Sequence, residues 1–537
     1  MPRPRLSAGQ LLLLVALYLS TTQNASFWQV AFNSLAHLQG TSKWLFLGVL
    51  ALVLNAALLF CLGLLTPRII LKPMLSALLL IAAVCSYFMD SFHVVVDLPM
   101  MTNVVQTDAR ESAELLGRAW WLHLALYGLL PVALIWWTRI VSAGAVREIG
   151  RRVVLLAVAL AVVAGAVGLD YKNVSLWARE NEHIRTFINP SYPIYSAARL
   201  ISEQLQDLHP PPVVTTLPGA SRVATERPLL VVLVVGETAR AANFQLNGYE
   251  RATNPELAAI PDLINFGQTV SCGTSTAISV PCMFSDLGRK RFSKERAERQ
   301  ENLLDVLARV GVDVHWLDND SGCKGVCARV AYQDRSRETD AALCQDDNCY
   351  DGVLFKDLQT LWPRGALSRL VVLHQKGSHG PSYYRRYPAE FRRFLPACEL
   401  DDVQTCSREQ IVNAYDNTIL YTDHLLAGLI TELRGQQQFD SVVLYLSDHG
   451  ESLGEDGVYL HGLPYAVAPM MQKHVPMLAW FSERALLRQR LDPACLKAAS
   501  AQPHSQDDLF DTMLGLFGVR APDYQGAANL FAGCASP

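Results

Sequence analysis

The chain has 537 residues, of which 50% are hydrophobic and 18% charged. A soluble protein carries about 25% charged residues, so part of this one is made for a lipid environment. A net charge of −4 argues against a nucleic-acid binder, which shows a basic domain, and the composition excludes collagen-like, low-complexity and wholly disordered chains.

The apolar excess lies almost entirely before residue 171, which predicts a membrane domain over 1–170 and a water-soluble remainder. A bilayer core about 30 Å thick needs roughly 20 apolar residues in a helix. Five segments meet this, near 11–33, 44–66, 70–89, 119–138 and 153–169. The first is uncharged from Leu6 to Ser42 and too long for a cleaved signal peptide, so it is read as an anchor. With the N-terminus inside, the inner segments hold Arg3, Arg5, Arg68, Lys72, Arg139, Arg147, Arg151 and Arg152. The outer loops then hold only Lys43, Arg110 and Arg118, which is the expected cationic bias. Five crossings place everything beyond Asp170 outside.

Residues 171–227 mix aromatics with charge and then turn rich in proline, as interfacial helices and a linker would. From 228 to 537 the pattern becomes that of an α/β domain. PLLVVLVVGET, SRLVVLHQKGSHG and DSVVLYLSDHGES are β-branched runs that predict buried parallel strands. Helical stretches separate them, which implies a mostly parallel central sheet. Ligands of such sheets bind at the carboxyl ends of strands. Those ends carry Glu237, His379, Asp448 and His449.

Carboxylate oxygens and an imidazole nitrogen at Glu237, Asp448 and His449 form a candidate set for zinc or manganese. SCGTSTAISVPCMFS offers four hydroxyls as nucleophile, Thr274, Ser275, Thr276 and Ser279, and composition does not choose among them. His379 and His461 can serve as general acid or as further metal ligands. Lys324 can clamp a phosphate as a point charge. His374 and His474 read as structural. Ten of the twelve cysteines follow residue 270, and eight form close pairs: Cys272/Cys282, Cys323/Cys327, Cys344/Cys349 and Cys398/Cys406. Such pairs outside the cytosol read as disulfides, ahead of zinc binding by CKGVC, and Cys495/Cys534 is a candidate fifth.

GETAR, SCGTSTAISVPCMFS, DNDSGCKGVC, KGSHGP and YLSDHGESLGE, in this order after five apolar segments, resemble the lipid A phosphoethanolamine transferases, a group that includes the mobile colistin-resistance enzymes. The resemblance implies a five-helix transmembrane domain joined to an α/β domain of the alkaline phosphatase/sulfatase type. It implies Thr276 as nucleophile, zinc held by Glu237, Thr276, Asp448 and His449, and Lys324, His379 and His461 as residues that bind phosphoethanolamine or a further zinc. It also matches TNVVQTDARESAELL to a periplasmic helix in which Asn103, Thr107 and Glu111 contact the donor headgroup. The implied reaction moves phosphoethanolamine from phosphatidylethanolamine to a phosphate of lipid A, within lipopolysaccharide, through a phosphothreonine. The implied enzyme is a monomer of the bacterial inner membrane with its catalytic domain in the periplasm, and it confers polymyxin resistance. Alternatives are transfer to a Kdo or heptose sugar of the core, or a membrane-anchored phosphodiesterase or phosphatase. Sulfatases carry a C/S-x-P-x-R pattern at the nucleophile, and CGTSTA lacks it.

Overall fold

The computed structural model describes residues 3–35, 40–106, 116–141, 144–169, 177, 181–206, 213–223, 227–345, 348–363, 365–400, 403–522 and 524–535. The chain divides into two compact units, Met1–Met101 with Leu116–Gln204, and Thr102–Leu115 with Leu205–Pro537.

The first unit is helical. Its elements are α1 (Ala8–Thr22), α2 (Ala25–Ser34), α3 (Thr41–Leu65) and α4 (Leu71–Phe92), the last extended by a turn of 3-10 helix at Arg68–Ile70. After α5 (Leu98–Gln106) come α6 (Arg118–Trp137, with a π-helical segment inside it), α7 (Ala145–Leu169) and α8 (Ser191–Gln206). Among the described residues, four helices are long and apolar enough to cross a membrane: Thr41–Leu65, Arg68–Phe92, Arg118–Trp137 and Val146–Gly168. They match four of the five expected segments.

The expected first span is not one helix. It breaks at Gln23 and Asn24, leaving 15 residues in α1 and 10 in α2. At 1.5 Å per residue α1 reaches about 22 Å, short of the hydrocarbon core. The break is held by buried amides. Asn24 Nδ2 donates to the carbonyls of Leu19 (2.8 Å) and Asn189 (2.6 Å), and the Asn189 N–H returns to Asn24 Oδ1 at 2.9 Å. Asn189 Nδ2 donates to Gln23 O and Ala82 O, while Ser86 Oγ donates to Gln23 Oε1. An amide carries no charge, so a reading based on charge passes over it. In an apolar interior it must still find partners, and here those partners end the helix.

The second unit is built on a seven-stranded sheet. In chain order its strands are β1 (Leu229–Gly236), β2 (Ile264–Asn265), β3 (Asp313–Asp318), β4 (Ala331–Asp334), β5 (Arg369–His374), β6 (Asp440–Ser447) and β7 (Met477–Phe481). The spatial order is β2-β7-β6-β1-β5-β3-β4. The run from β6 to β4 is parallel, and β7 and β2 add antiparallel edges. Central β1 pairs Leu233 with Val372 on one side and Leu444 on the other. All eight of its residues are buried, as expected of a strand covered on both faces. One covering element is α11 (Arg408–Arg434), started by a Ser407–Gln410 capping box; α9 (Thr276–Met283) and α10 (Leu303–Arg309) precede it in the chain.

Five disulfides join Cys272–Cys282, Cys323–Cys327, Cys344–Cys349, Cys398–Cys406 and Cys495–Cys534. The close pairs are thus disulfides, the fifth candidate is a bridge, and CKGVC has no thiolates left for zinc. Cys61 and Cys85, in α3 and α4, are free thiols.

The loop after β5 presses against the loop after β1. Gly377 has φ +51°, and a Cβ there would lie 2.5 Å from the Glu237 carbonyl oxygen. Gly377→Ala therefore combines a strained backbone with a backbone clash, and is expected to cost about 2 kcal/mol or more. Gly428, exposed within α11 with open space at its Cβ position, gives the opposite result: Gly428→Ala is expected to gain about 1 kcal/mol. Thermal unfolding of the full chain in detergent checks both, and equal effects would contradict the packing argument.

Candidate active site

The carboxyl ends of β1, β5 and β6 lie side by side, so the loops that follow them converge. Glu237 follows β1, and Asp448 and His449 follow β6; all three are fully buried. Their seat is fixed by backbone contacts. Asp448 N–H donates to Gly236 O at 2.8 Å, and Thr238 N–H donates to Asp448 Oδ1 at 3.0 Å. Tyr415 of α11 donates to Thr238 O at 2.7 Å and accepts from the Arg240 N–H at 2.9 Å. Beyond β5, the Ser378 N–H donates to Glu237 O, and the Asp351 carboxylate takes the N–H groups of Lys376 and Gly377.

Of the four candidate hydroxyls, the structure brings one to the carboxylates. Thr276 opens α9, and its Oγ1 lies 3.1 Å from Glu237 Oε2 and 3.4 Å from His449 Nε2. Thr274 Oγ1 donates instead to Leu463 O, and Ser279 Oγ lies against Asp448 O and Gln506 Oε1. Ser275 is the residue before the helix. The discriminating information is rotational, since consecutive residues at a helix start point in different directions.

His449 Nε2 also stands 3.4 Å from Glu237 Oε1 and 3.2 Å from Asp448 Oδ2. Its Nδ1 is 3.0 Å from the Gly450 carbonyl, which fixes the proton on Nδ1 and turns the Nε2 lone pair to the carboxylates. Asp448 Oδ2 is buried and accepts no hydrogen bond among the described residues. Burial raises Glu237 to about 8, with Asp448 adding to the effect, and raises Asp448 to about 6. Burial, helped by His461, lowers His449 to about 4, so it is neutral and able to ligate. Two buried carboxylates, an orphaned oxygen, a lone pair and a hydroxyl converge on one point. That donor set fits a divalent cation.

His461 sits beside this set, its ring centroid 4.3 Å from that of His449 and 5.3 Å from that of His379. Its Nδ1 is 2.8 Å from Glu451 Oε2, and Glu451 Oε1 accepts from Tyr383 at 2.6 Å. Burial raises buried Glu451 to about 7. His379 is also held through its carbonyl, which accepts from Arg386 Nε. Lys324 lies in the Cys323–Cys327 turn at φ +51°, with Nζ donating to Ser321 O and Oγ. Burial raises the Asp320 carboxyl, yet the charges of Lys324, His374 and His379 outweigh it and hold the group far below its usual range.

Sequence reasoning missed Asp320, Glu451 and Tyr383. Asp320 stood in DNDSGCKGVC, four residues before Lys324, and Glu451 two after His449, so both were visible but unassigned. His474 is structural as expected, its Nε2 2.8 Å from Gly267 O. Asn103 lies in α5, while Thr107 and Glu111 fall outside the described residues, so the expected helical face is described only at Asn103.

Comparison with known proteins places this geometry. Residues 54–205 match the phosphoethanolamine transferase EptA/EptB family and residues 230–519 the sulfatase family. The chain is 39% identical to phosphoethanolamine transferase EptA of Escherichia coli K12, covering 99% of this chain and 98% of that one. It is 36% identical to phosphatidylethanolamine transferase Mcr-1 of Escherichia coli, covering 94% of each. The solved structure of the integral membrane lipooligosaccharide phosphoethanolamine transferase A of Neisseria meningitidis superposes with a TM-score of 0.95 at 36% identity, covering 99% of this chain and all of that one. Likeness at this level over the whole length shows that the chain belongs to the phosphoethanolamine transferase family, as an inner-membrane enzyme with its catalytic domain in the periplasm.

Proposed function

We propose that the protein transfers phosphoethanolamine from phosphatidylethanolamine to a phosphate of lipid A, with Thr276 as the nucleophile and zinc held by Glu237, Thr276, Asp448 and His449. The observation that carries this reading is the Thr276 hydroxyl, 3.1 Å from Glu237 Oε2 and 3.4 Å from His449 Nε2 inside a buried anionic set. Zinc bound there supplies Lewis acidity, lowering the pKa of a bound hydroxyl and polarising a phosphoryl oxygen.

The remaining steps belong to the chain's own residues. Thr276 Oγ1 attacks phosphorus, and the bond from phosphorus to the diacylglycerol oxygen breaks. The proton lost by Thr276 is matched by the one gained by diacylglycerol, delivered by His461 or His379. Glu451 holds the His461 ring for that task. Lys324 offsets charge on the phosphoryl oxygens. The lipid A phosphate then attacks phosphothreonine in line, and its proton returns to Thr276 Oγ1. Two lipids using one site in turn give ping-pong kinetics. Adding an ammonium to an anionic phosphate weakens its attraction for cationic peptides, which accounts for polymyxin and colistin resistance. Asn103, with Thr107 and Glu111, serves the donor headgroup. We read α1 and α2 as a fifth crossing made jointly, and the working form as a monomer. A core sugar as acceptor, or plain phosphodiester hydrolysis, is the rival reading.

The deciding experiment expresses wild type and Thr276→Ala in a Gram-negative host lacking its own transferases, with mass spectra of lipid A and of the core. A phosphoethanolamine increment on lipid A is expected for wild type and none for Thr276→Ala. An increment on the core alone would replace the acceptor, and an increment from Thr276→Ala would remove the nucleophile. His461→Ala is expected to lower transfer by about 10²–10⁴-fold, read as the rate of lipid A modification.

Metal binding gives a pH signature. Without metal, Glu237 and Asp448 titrate near 8 and 6, above their ordinary range, so the native state binds more protons than the unfolded chain below those values. The stability these two carboxyls contribute to the metal-free protein therefore falls as pH rises from about 4 to 8, while His449, lowered to about 4, opposes the trend below its ordinary range. Zinc takes the place of those protons, so its stabilisation grows over the same interval. The rise in unfolding temperature on adding zinc is expected to be larger at pH 8 than at pH 5.5; an equal rise at both would count against the ligand set.

A further inference from the structure

His374 closes β5 and is fully buried, yet the reaction above makes no use of it. Its Nδ1 lies 3.0 Å from Asp318 Oδ2. The same oxygen takes the Trp316 indole N–H at 2.7 Å, and Asp318 Oδ1 takes the N–H groups of Asp320 and Gly322 at 3.0 and 3.1 Å. With this carboxylate at Nδ1, Nε2 is the ring nitrogen turned away from Asp318. That Nε2 is buried and, among the described residues, has no hydrogen-bond partner. Leaving such an atom unsatisfied costs roughly 1–3 kcal/mol unless something binds it.

Two carboxylates stand beside the His374 ring. Glu237, Asp320 and His374 each present a donor atom, and the three atoms lie within 4.8 Å of one another. Glu237 Oε2 faces Thr276, while its Oε1 takes the Thr238 hydroxyl and stands 3.4 Å from His449 Nε2. The arrangement around His374 is the one found behind metal-binding histidines, in which a carboxylate receives one ring N–H and aims the other nitrogen at the ion.

We propose a second divalent-cation site formed by Glu237, Asp320 and His374, sharing Glu237 with the site at Thr276. Two oxygens and one imidazole suit zinc or manganese, and three protein ligands leave room for water or a phosphoryl oxygen. The site is separate from His379 and His461, neither of which belongs to the cluster. It rests on the reading of the Thr276 site only through the shared Glu237. Filling both sites would place positive charge on either side of Glu237, the arrangement two-metal enzymes use to stabilise a phosphoryl group.

The test counts zinc by elemental mass spectrometry on full-length protein in detergent, stripped with chelator and reloaded with zinc alone. Wild type is compared with Asp320→Asn, His374→Gln and Asp448→Asn. Asp320→Asn and His374→Gln are each expected to hold one zinc fewer per chain than wild type. Asp448→Asn is expected to lose a different zinc, so that Asp448→Asn with Asp320→Asn loses both. Unchanged zinc in Asp320→Asn and His374→Gln would overturn the second site while leaving the first intact. Unchanged zinc in Asp448→Asn alone would instead count against the first. Asp320→Asn keeps shape and volume, so it decides the matter should His374→Gln not fold.

Discussion

Too many carboxylates are buried at the strand ends of this protein for the structure to be content without cations. Glu237, Asp320, Asp448 and Glu451 are all buried, within a few residues of where β1, β3 and β6 stop. Burying ionised carboxylates without partners is among the costliest acts a fold can perform. A sequence selected for stability alone would not keep them there. Their presence favours positive charge at the site, which Lys324 supplies on one side and, on the proposed reading, a metal ion on the other.

The rest of the soluble unit can be understood as the means of holding that site together. Parallel strands deliver their carboxyl ends to one edge, and the central place of β1 puts Glu237 between the loops of β5 and β6. Asp448 is tied to the backbone of Thr238 and Asp351 to that of Gly377, each in another loop, while Asp318 holds its own loop through the N–H groups of Asp320 and Gly322. The first two bonds cross between loops and hold those loops to one another. Hydrogen bonds from Tyr415 of α11 to both sides of the Thr238–Arg240 turn extend the same control to a helix on the outside of the sheet. Preorganisation of this kind costs no reorganisation when charge develops on a phosphoryl group.

The parts of this arrangement that depend on local sequence were legible, and the parts that depend on partners were not. β-branched runs ending in Gly-Glu-Thr or Ser-Asp-His announce buried strands with chemistry at their ends, and β1, β5 and β6 form there. The choice among Thr274, Ser275, Thr276 and Ser279 was closed to composition, because it turns on direction at a helix start. His374 looked structural for a sound reason: it lies inside a strand, and Asp318 does hold it. Whether its second nitrogen meets anything depends on Asp320 and Glu237, which come from other strands. The first apolar segment misled for a related reason. Gln23 and Asn24 carry no charge, so the segment passes as one span until Asn189, 165 residues away, supplies the hydrogen bonds that end α1.

The burial pattern also divides the labour of the site. Glu237, Asp448 and His449 are sealed from water, so they act alike on any phosphoryl group that reaches Thr276. Nothing in that sealed half can tell one acceptor from another, since an attacking oxygen approaches in line from the opposite side. Selection must therefore come from the more open half, where His461 and Lys324 keep part of their surface in solvent, and from residues farther out. On the proposed reaction, relatives could exchange acceptors without altering the buried set. A fixed interior and an adjustable rim make the chemistry readable from a handful of motifs, and leave acceptor identity to surfaces that no motif encodes.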